Sequence, residues 1–261
     1  MNILITSGGT SERIDNVRRI TNSSTGRLGL AVAEAFAAEG GVAKIWYVCG
    51  LKAVRPQLPK VETIPVESAD DLQRTVTEIC GSGTVDAVVH AMAVSDYTVG
   101  AVTTVAAVAD SVELEMGRFG ADAPKDGARN EPTCLHERLA IAVKGASTVA
   151  HGSKISSEVD DLVLLLRKTP KVLAGFRAML PKGVIVGFKL LDRVTEDFLI
   201  GAAHDLLLKN DCDFVLANDL RDIGESGHVG RLVRKDKSYE TFHTKEEIAG
   251  GIVAAVMRHK T

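Results

Sequence analysis

Apolar and polar positions follow two alternating periods along this chain. Ile3-Leu4-Ile5-Thr6 is a short continuous apolar run that meets Gly8-Gly9. That is the pattern of a strand buried on both faces and closed by a tight turn. From Arg27 to Gly40 the period changes. Leu28, Val32, Ala35 and Phe36 share one helical face, and Gly40-Gly41 ends the helix. Val42 to Cys49 is β-branched and aromatic and predicts a second strand, Val61 to Val66 a third, and Val85 to Ala91 a fourth. Between the last two, Ser68 is placed to cap a helix through Cys80, with Asp70 and Asp71 in its first turn.

The alternation resumes in the last third. Thr169 to Met179 reads as a helix with Pro170 in its first turn, Val184 to Phe188 as a strand, Thr195 to Lys209 as a helix, and Phe214 to Ala217 as a strand. Arg231 to Val233 and Ser238 to Phe242 predict a hairpin around Lys235-Asp236-Lys237. Thr244 caps a final helix, Lys245 to Arg258, with Glu247 completing a capping box. Strands alternating with helices predict an α/β fold: a three-layer, Rossmann-like, mostly parallel sheet with helices on both faces. One domain over residues 1–261 is expected, with a mobile loop within 117–133 and a flap near 151–157.

Composition narrows the function classes. Aromatics are 4% and the net charge is −3, so neither a base-stacking platform nor a general phosphate-backbone binder is expected. The four cysteines, Cys49, Cys80, Cys134 and Cys212, form no Cys-x-x-Cys pair, and the seven histidines no zinc-like cluster. Reduced thiols in a cytoplasmic setting are expected. No apolar stretch approaches the ~20 residues that span a bilayer, and Met1 leads straight into a strand rather than a signal peptide.

In parallel sheets ligands bind at the carboxyl ends of the strands. Ser7-Gly8-Gly9-Thr10, Met92 to Asp96, Lys189 and Asn218-Asp219 all fall there. Glycines after a first strand let backbone amides approach phosphate; a tight turn alone would use them too. The full Gly-x-Gly-x-x-Gly fingerprint is absent, because Ser24 stands where its first glycine should be before Gly26-Arg27-Leu28-Gly29. No Walker A loop and no Tyr-x-x-x-Lys pair occur.

The run Ser7-Gly-Gly-Thr-Ser-Glu-Arg-Ile-Asp-Asn-Val-Arg-Arg-Ile-Thr-Asn-Ser-Ser-Thr-Gly-Arg-Leu-Gly29 resembles the amino-terminal signature of phosphopantothenate–cysteine ligases. Four further blocks follow in that family's order: Ala91-Met-Ala-Val-Ser-Asp-Tyr97, Lys154-Ile-Ser-Ser157, Val186-Gly-Phe-Lys-Leu190 and Leu216-Ala-Asn-Asp219. The resemblance implies a two-step ligase of coenzyme A biosynthesis. A carboxylate attacks the α-phosphorus of a nucleoside triphosphate and releases pyrophosphate. The cysteine amine then displaces nucleoside monophosphate.

On that resemblance Asn22 holds the substrate carboxylate and then the acyl oxygen, and Lys154, on a flap, and Lys189 neutralise phosphate charge. Arg18 reaches a substrate phosphate across a homodimer interface, so active sites are shared. Met92, Ala93 and Asp96 bind substrate, and Asp96 is also the candidate Mg²⁺ ligand. Ser7, Gly8, Gly9, Thr10, Ser24, Gly26, Phe188 and Asn218 complete the nucleotide site. CTP is favoured over ATP from bacterial members. No flavin, nucleic acid or membrane partner is expected, since the chain begins at the ligase's first strand and resembles the stand-alone bacterial type. Two departures stand out: Met92 where many bacterial members have alanine, and Gly187-Phe-Lys-Leu-Leu191 without an Ala-Glu-Thr ending. An NAD(P)-dependent oxidoreductase and a non-catalytic nucleotide-binding protein are the competing readings. Cys49-Gly50, where a ribose-reading acid would stand, speaks against the first.

Overall fold

A computed structural model describes residues 1–121, 135–149, 154–224 and 227–259. Contacts divide the chain into two compact units where the sequence reading expects one domain: Met1–Ser11, Thr21–Asp96 and Thr169–Thr261 form the first, Glu12–Ile20 and Tyr97–Lys168 the second.

The first unit is built on an eight-stranded sheet. Its strands are β1 (Asn2–Ser7), β4 (Lys44–Gly50), β5 (Val61–Val66), β6 (Ala87–His90), β9 (Val184–Leu191), β10 (Phe214–Asp219), β11 (Gly230–Val233) and β12 (Tyr239–Phe242). Their spatial order is β12-β11-β10-β9-β6-β1-β4-β5. The six from β5 to β10 pair in parallel, and β11 and β12 add an antiparallel edge. The parallel order reverses direction between β1 and β6, because β1 passes the chain to β4 on one side and receives β6 on the other. A ligand crevice forms at the carboxyl ends of strands on either side of such a reversal.

Five helices cover this sheet: α1 (Arg27–Ala38), α2 (Ala69–Gly81), α5 (Val172–Met179), α6 (Glu196–Lys209) and α7 (Lys245–His259). Strand alternation assigns the faces. Ile3 and Ile5 join Val32 and Phe36 of α1 and Ile252 and Val256 of α7 in one core. Leu4 points the other way, into a core with Leu72 and Val76 of α2, Phe176 of α5, and Leu199 and Leu207 of α6. Local chemistry agrees with these assignments. Ser68 accepts from the Asp71 amide while Asp71 returns a bond to the Ser68 amide, closing a capping box on α2. At α7, Thr244 accepts from the Glu247 amide (3.1 Å), and the Glu247 carboxylate reaches one residue beyond the cap, to the His243 amide (2.7 Å).

Two expected strands are longer than their apolar runs. β9 continues through Lys189 to Leu191, and β10 through Asn218 and Asp219. The two pair residue by residue to their ends, Ala217 with Lys189 and Asp219 with Leu191. Lys189 and Asn218 therefore sit inside strands rather than in the turns after them.

The second unit contains β7 (Tyr97–Thr104) paired antiparallel with β8 (Leu162–Lys168), and two helices, α3 (Val105–Ala121) and α4 (Leu135–Gly145). A register shift between Val99 and Ala101 falls at Gly100, where a Cβ would lie 2.7 Å from the Arg167 side chain. α3 and α4 are tied by the Ser111 hydroxyl donating to the Ala142 carbonyl (2.9 Å). β2 (Ser11–Arg13) and β3 (Arg19–Thr21) form a separate short pair. The expectation of a loop from 117 is corrected: residues 117–121 complete α3. The rest of that span, and residues 151–153 of the expected flap, lie outside the described residues.

Candidate active site

At the switch point three loops are zipped together by backbone bonds. After β1, Gly8 takes a left-handed conformation (φ 77°). A Cβ there would lie 2.5 Å from the Ala53 Cβ, and one on Gly9 2.6 Å from the Asn22 carbonyl. Both positions therefore require glycine. The Ala93 amide donates to the Gly8 carbonyl (2.8 Å), and the Thr10 amide to the Ala93 carbonyl (3.1 Å). Asn22 Nδ2 donates to that same Ala93 oxygen (3.2 Å). The exposed Asn22 amide is thereby held beside Gly9 and the loop after β6. Gly50, at the end of β4, has no room for a side chain, since a Cβ would come within 2.2 Å of the Gly9 carbonyl. The position from which an acidic residue would read a dinucleotide ribose is thus closed by packing.

Two of the expected ligand-facing hydroxyls turn inward. Ser7 is fully buried; its Oγ donates to the Gly26 carbonyl (3.1 Å) and accepts from the Tyr47 hydroxyl (2.8 Å). Tyr47 also lies 3.1 Å from the Val54 carbonyl, and burial lifts its pKa to about 12. Thr10, also fully buried, donates to Ser95 Oγ (3.1 Å) and accepts from the Ser95 amide (2.8 Å). These hydroxyls shape the loops and have their bonds filled by protein. Gly26 (φ 76°) is the N-cap of α1, Ser24 precedes it in the same loop, and the free end of α1 follows directly.

Met92 is buried in the α2/α5/α6 core, with its amide donating to Thr6 Oγ1 (3.3 Å). It offers a wall, not a functional group. Asp96 is exposed and ion-paired with Lys171. Phe188 and Lys189 are half-buried on β9, and Phe188 packs against the α1/α7 core. Asn218 is 4% exposed, and its side-chain amide meets His228 Nε2. His228 is a neighbour that sequence reasoning missed, because it stands ten positions beyond Asn218 and outside any motif. Burial, helped by the Lys245 charge, lowers its pKa to about 4.

Asp219 was also missed as a structural anchor. It accepts from the amides of Arg193 (2.9 Å), Val194 (3.0 Å) and Arg221 (3.1 Å). Burial alone would raise its pKa, but the amides and the Arg221 charge hold it below the usual value. Arg193 is thereby kept at a positive φ of 53° in the turn between β9 and α6.

Arg18 and Lys154 belong to the second unit. Arg18 lies 3.5 Å from the Asp15 carboxylate and donates to the Ile155 carbonyl (3.3 Å). Asp15 in turn accepts from the amides of Arg18 (2.6 Å), Val17 (2.7 Å) and Ile155 (3.1 Å). These bonds, the Arg18 amide foremost, lower its pKa against the effect of burial. The segment carrying Lys154 is thus anchored to that carrying Arg18, with Lys154 itself exposed.

Strand order, a glycine loop after the first strand and an amide donor at the switch point define a doubly wound α/β domain of the Rossmann type. The family model for the DNA/pantothenate metabolism flavoprotein C-terminal domain matches residues 1–116 and 144–259, and the chain belongs to that family. A DNA/pantothenate metabolism flavoprotein from Streptococcus pneumoniae, known as a crystal structure, is 32% identical over 99% of each chain, with a TM-score of 0.77. The coenzyme A biosynthesis bifunctional protein CoaBC of Methanocaldococcus jannaschii is 28% identical over 98% of this chain and 50% of its own length. The CoaBC protein of Thermococcus kodakarensis matches over 48% of its length, so the chain spans about half of these curated relatives. A Cab2 mutant solved with phosphopantothenate-cysteine shares the fold at a TM-score of 0.65 and 17% identity, over 99% of this chain and 86% of that one.

Proposed function

We propose that this chain is a phosphopantothenate–cysteine ligase that works through an acyl-nucleotide in coenzyme A biosynthesis. Family membership and the CoaBC relatives support the pathway, and the ligand named for the Cab2 complex supports the product. The observation that carries the reading is the exposed Asn22 amide, fixed on the Ala93 carbonyl beside Gly8-Gly9 at the switch point.

The chemistry follows from charge. A carboxylate is a poor electrophile, and both partners in its activation are anions. A carboxylate oxygen attacks the α-phosphorus, and the bond to the pyrophosphate leaving group breaks. The cysteine amine then attacks the acyl carbon, the carbon–oxygen bond to the nucleotide breaks, and nucleoside monophosphate leaves with that oxygen. Asn22 Nδ2 is a neutral donor: it orients the carboxylate first and stabilises the oxyanion second. Gly8 and Gly9 bring backbone close to phosphate, Gly26 and Ser24 stand at the open end of α1, and Lys189 supplies positive charge from β9. Phe188 and Asn218 face the base and ribose, and Ala93 and Asp96 the pantoate portion. The proposed roles of Arg18 on the substrate phosphate and of Lys154 on the triphosphate rest on the resemblance.

The nucleotide is CTP in preference to ATP, and Mg²⁺ would accompany its phosphates and lower their charge. Mg²⁺ is commonly held by one or two carboxylates plus phosphates. The described residues gather no group of three or more potential ligands, and the Asp96 carboxylate already pairs with Lys171. A homodimer with shared sites completes the reading, and most of the large exposed hydrophobics among the described residues lie in the second unit, the pattern of a surface made to be covered. A cytoplasmic location accompanies this pathway; among the described residues no helix is long and apolar enough to cross a membrane.

The test is to mix purified chain, phosphopantothenate, L-cysteine, Mg²⁺ and each nucleotide in turn, and to follow pyrophosphate. Pyrophosphate should equal phosphopantothenoylcysteine formed, fastest with CTP. Release of nucleoside diphosphate and orthophosphate instead would refute an acyl-nucleotide.

A further inference from the structure

The first unit holds a cavity of about 360 Å³ beside the loop after β6, bordered by His90, Asp96, Lys171, Leu206, Lys209 and Asn210. Small-molecule sites run from about 300 to 1,000 Å³, so this one suits a small ligand.

Its inner end carries an unused donor. His90 is 7% exposed and packs its ring at 5.4 Å, edge to face, on Phe176. Thr6 Oγ1 lies 2.7 Å from His90 Nδ1 and already accepts from the Met92 amide. Thr6 Oγ1 can donate to Nδ1 while it accepts from Met92, and in that tautomer the ring's own proton sits on Nε2. Among the described residues Nε2 has no hydrogen-bond partner, yet the one buried, unpartnered side-chain nitrogen or oxygen there is Nδ1 of His228. His90 Nε2 accordingly keeps open surface, and the open space the ring borders is this cavity. Burial lowers the His90 pKa to about 4, so the donor is neutral at ordinary pH.

The walls are apolar: Val94, Val172, Leu173 and Leu206. The mouth carries both signs of charge. Asp96 and Lys171 form an exposed pair across it, and Lys209 stands nearby. α5 begins there at Val172 with no acidic residue in its first turn, so its first amides and the positive end of its dipole are available to an anion.

We propose that this cavity binds a small zwitterionic α-amino acid, its carboxylate at Lys171, Lys209 and the start of α5, its ammonium at the Asp96 oxygen not used by the pantoate portion, and a short side chain directed at His90 Nε2. This deepens, and rests on, the ligase reading: the occupant is L-cysteine, whose sulfur suits a neutral N–H donor between apolar walls. The amine then lies against the loop that carries Ala93, the residue on which Asn22 is held.

L-Cysteine is titrated into the full chain without nucleotide. Calorimetry gives affinity, and the His90 imidazole ¹H–¹⁵N signals report the floor. Saturable binding that shifts the His90 signals, with L-serine weaker, is expected. Leu206→Trp fills the cavity from α6 and His90→Phe removes the donor; each should weaken cysteine binding at least tenfold. Because His90→Phe alters a buried ring and could impair folding, Leu206→Trp is the deciding variant. In turnover it should raise the KM for cysteine at least tenfold and leave acyl-nucleotide formation without cysteine at the wild-type rate. Cysteine binding unchanged in Leu206→Trp, unmoved His90 signals, or binding of inorganic phosphate but not cysteine would each overturn the site. If wild-type chain makes no acyl-nucleotide, the ligase reading falls separately, and the titration still decides whether the cavity takes an amino acid.

Discussion

The two units differ in where they keep their apolar residues. In the first, Ile3, Leu4, Ile5, Phe36 and Phe176 are fully buried, and consecutive strand residues serve opposite cores. In the second, Tyr97, Val105, Leu114, Leu135, Ile141 and Leu166 are about half exposed. The first unit buries two cores between its sheet and helices, while most of the large exposed hydrophobics among the described residues lie in the second. The comparison teaches that the proposed chemistry is divided in the same way: Asn22, Lys189 and Asn218 belong to the unit with the eight-stranded sheet, Arg18 and Lys154 to the other.

The largest effect expected is on the sheet side. Asn22→Asp places a negative charge where the oxyanion forms, and loss of one such donor typically costs ~10²–10³ in rate. Acyl-nucleotide should accumulate and be seen by mass spectrometry after a quench. Near-normal turnover would remove Asn22 from the mechanism.

Mixing Asn22→Asp with Arg18→Ala tests whether the second unit serves a neighbour. Both parents should be nearly inactive. With free exchange about half the dimers are mixed and each holds one good site, so roughly a quarter of wild-type activity should return. If subunits exchange and nothing returns, the shared site is wrong.

Stability should separate the units too. Phe36→Ala, at a fully buried position of α1, should cost ~3–5 kcal/mol in urea unfolding. Leu114→Ser, 59% exposed on α3, should change it by under about 0.5 kcal/mol at dilutions where the chain is monomeric, while weakening self-association in sedimentation. A large loss of monomer stability would mean that α3 is packed by its own chain.

The contrast also explains what could be read from sequence. β1, α1 and α2 were legible because Ile3-Leu4-Ile5, Leu28/Val32/Phe36 and Ser68/Asp71 each satisfy one local rule in one place. β9 was read short because Lys189 breaks the apolar run, although backbone pairing with β10 carries the strand on to Leu191. α3 was missed because Leu114 and Met116 are exposed, so its apolar residues do not trace one buried face. β8 did carry a signal, the apolar run Leu162 to Leu166, but its partner β7 is broken at Gly100. In the site, Asn22 and the glycine loop were legible as a pattern. The inward turn of Ser7 and Thr10 was not, because it depends on Tyr47 and Ser95, which are distant in sequence.

A smaller effect follows from the buried imidazoles of the sheet unit. His90 and His228 both have folded pKa values near 4, against 6.5 for an exposed histidine. Protonation then favours the unfolded chain. Stability should be full above pH 6.5 and fall as pH drops toward 4, by up to roughly 3 kcal/mol for each imidazole, at ~1.4 kcal/mol per pKa unit. His90→Phe should flatten that slope in urea titrations from pH 7 to 4.5. An unchanged slope would mean that His90 titrates normally.

The central claim is that a carboxylate is activated on the α-phosphorus. Phosphopantothenate labelled with ¹⁸O in its carboxylate, turned over with CTP and cysteine, tests it most directly. The account predicts one ¹⁸O in the phosphate of the released nucleoside monophosphate and none in pyrophosphate. Label in orthophosphate, or unlabelled nucleoside monophosphate alongside product, would contradict it.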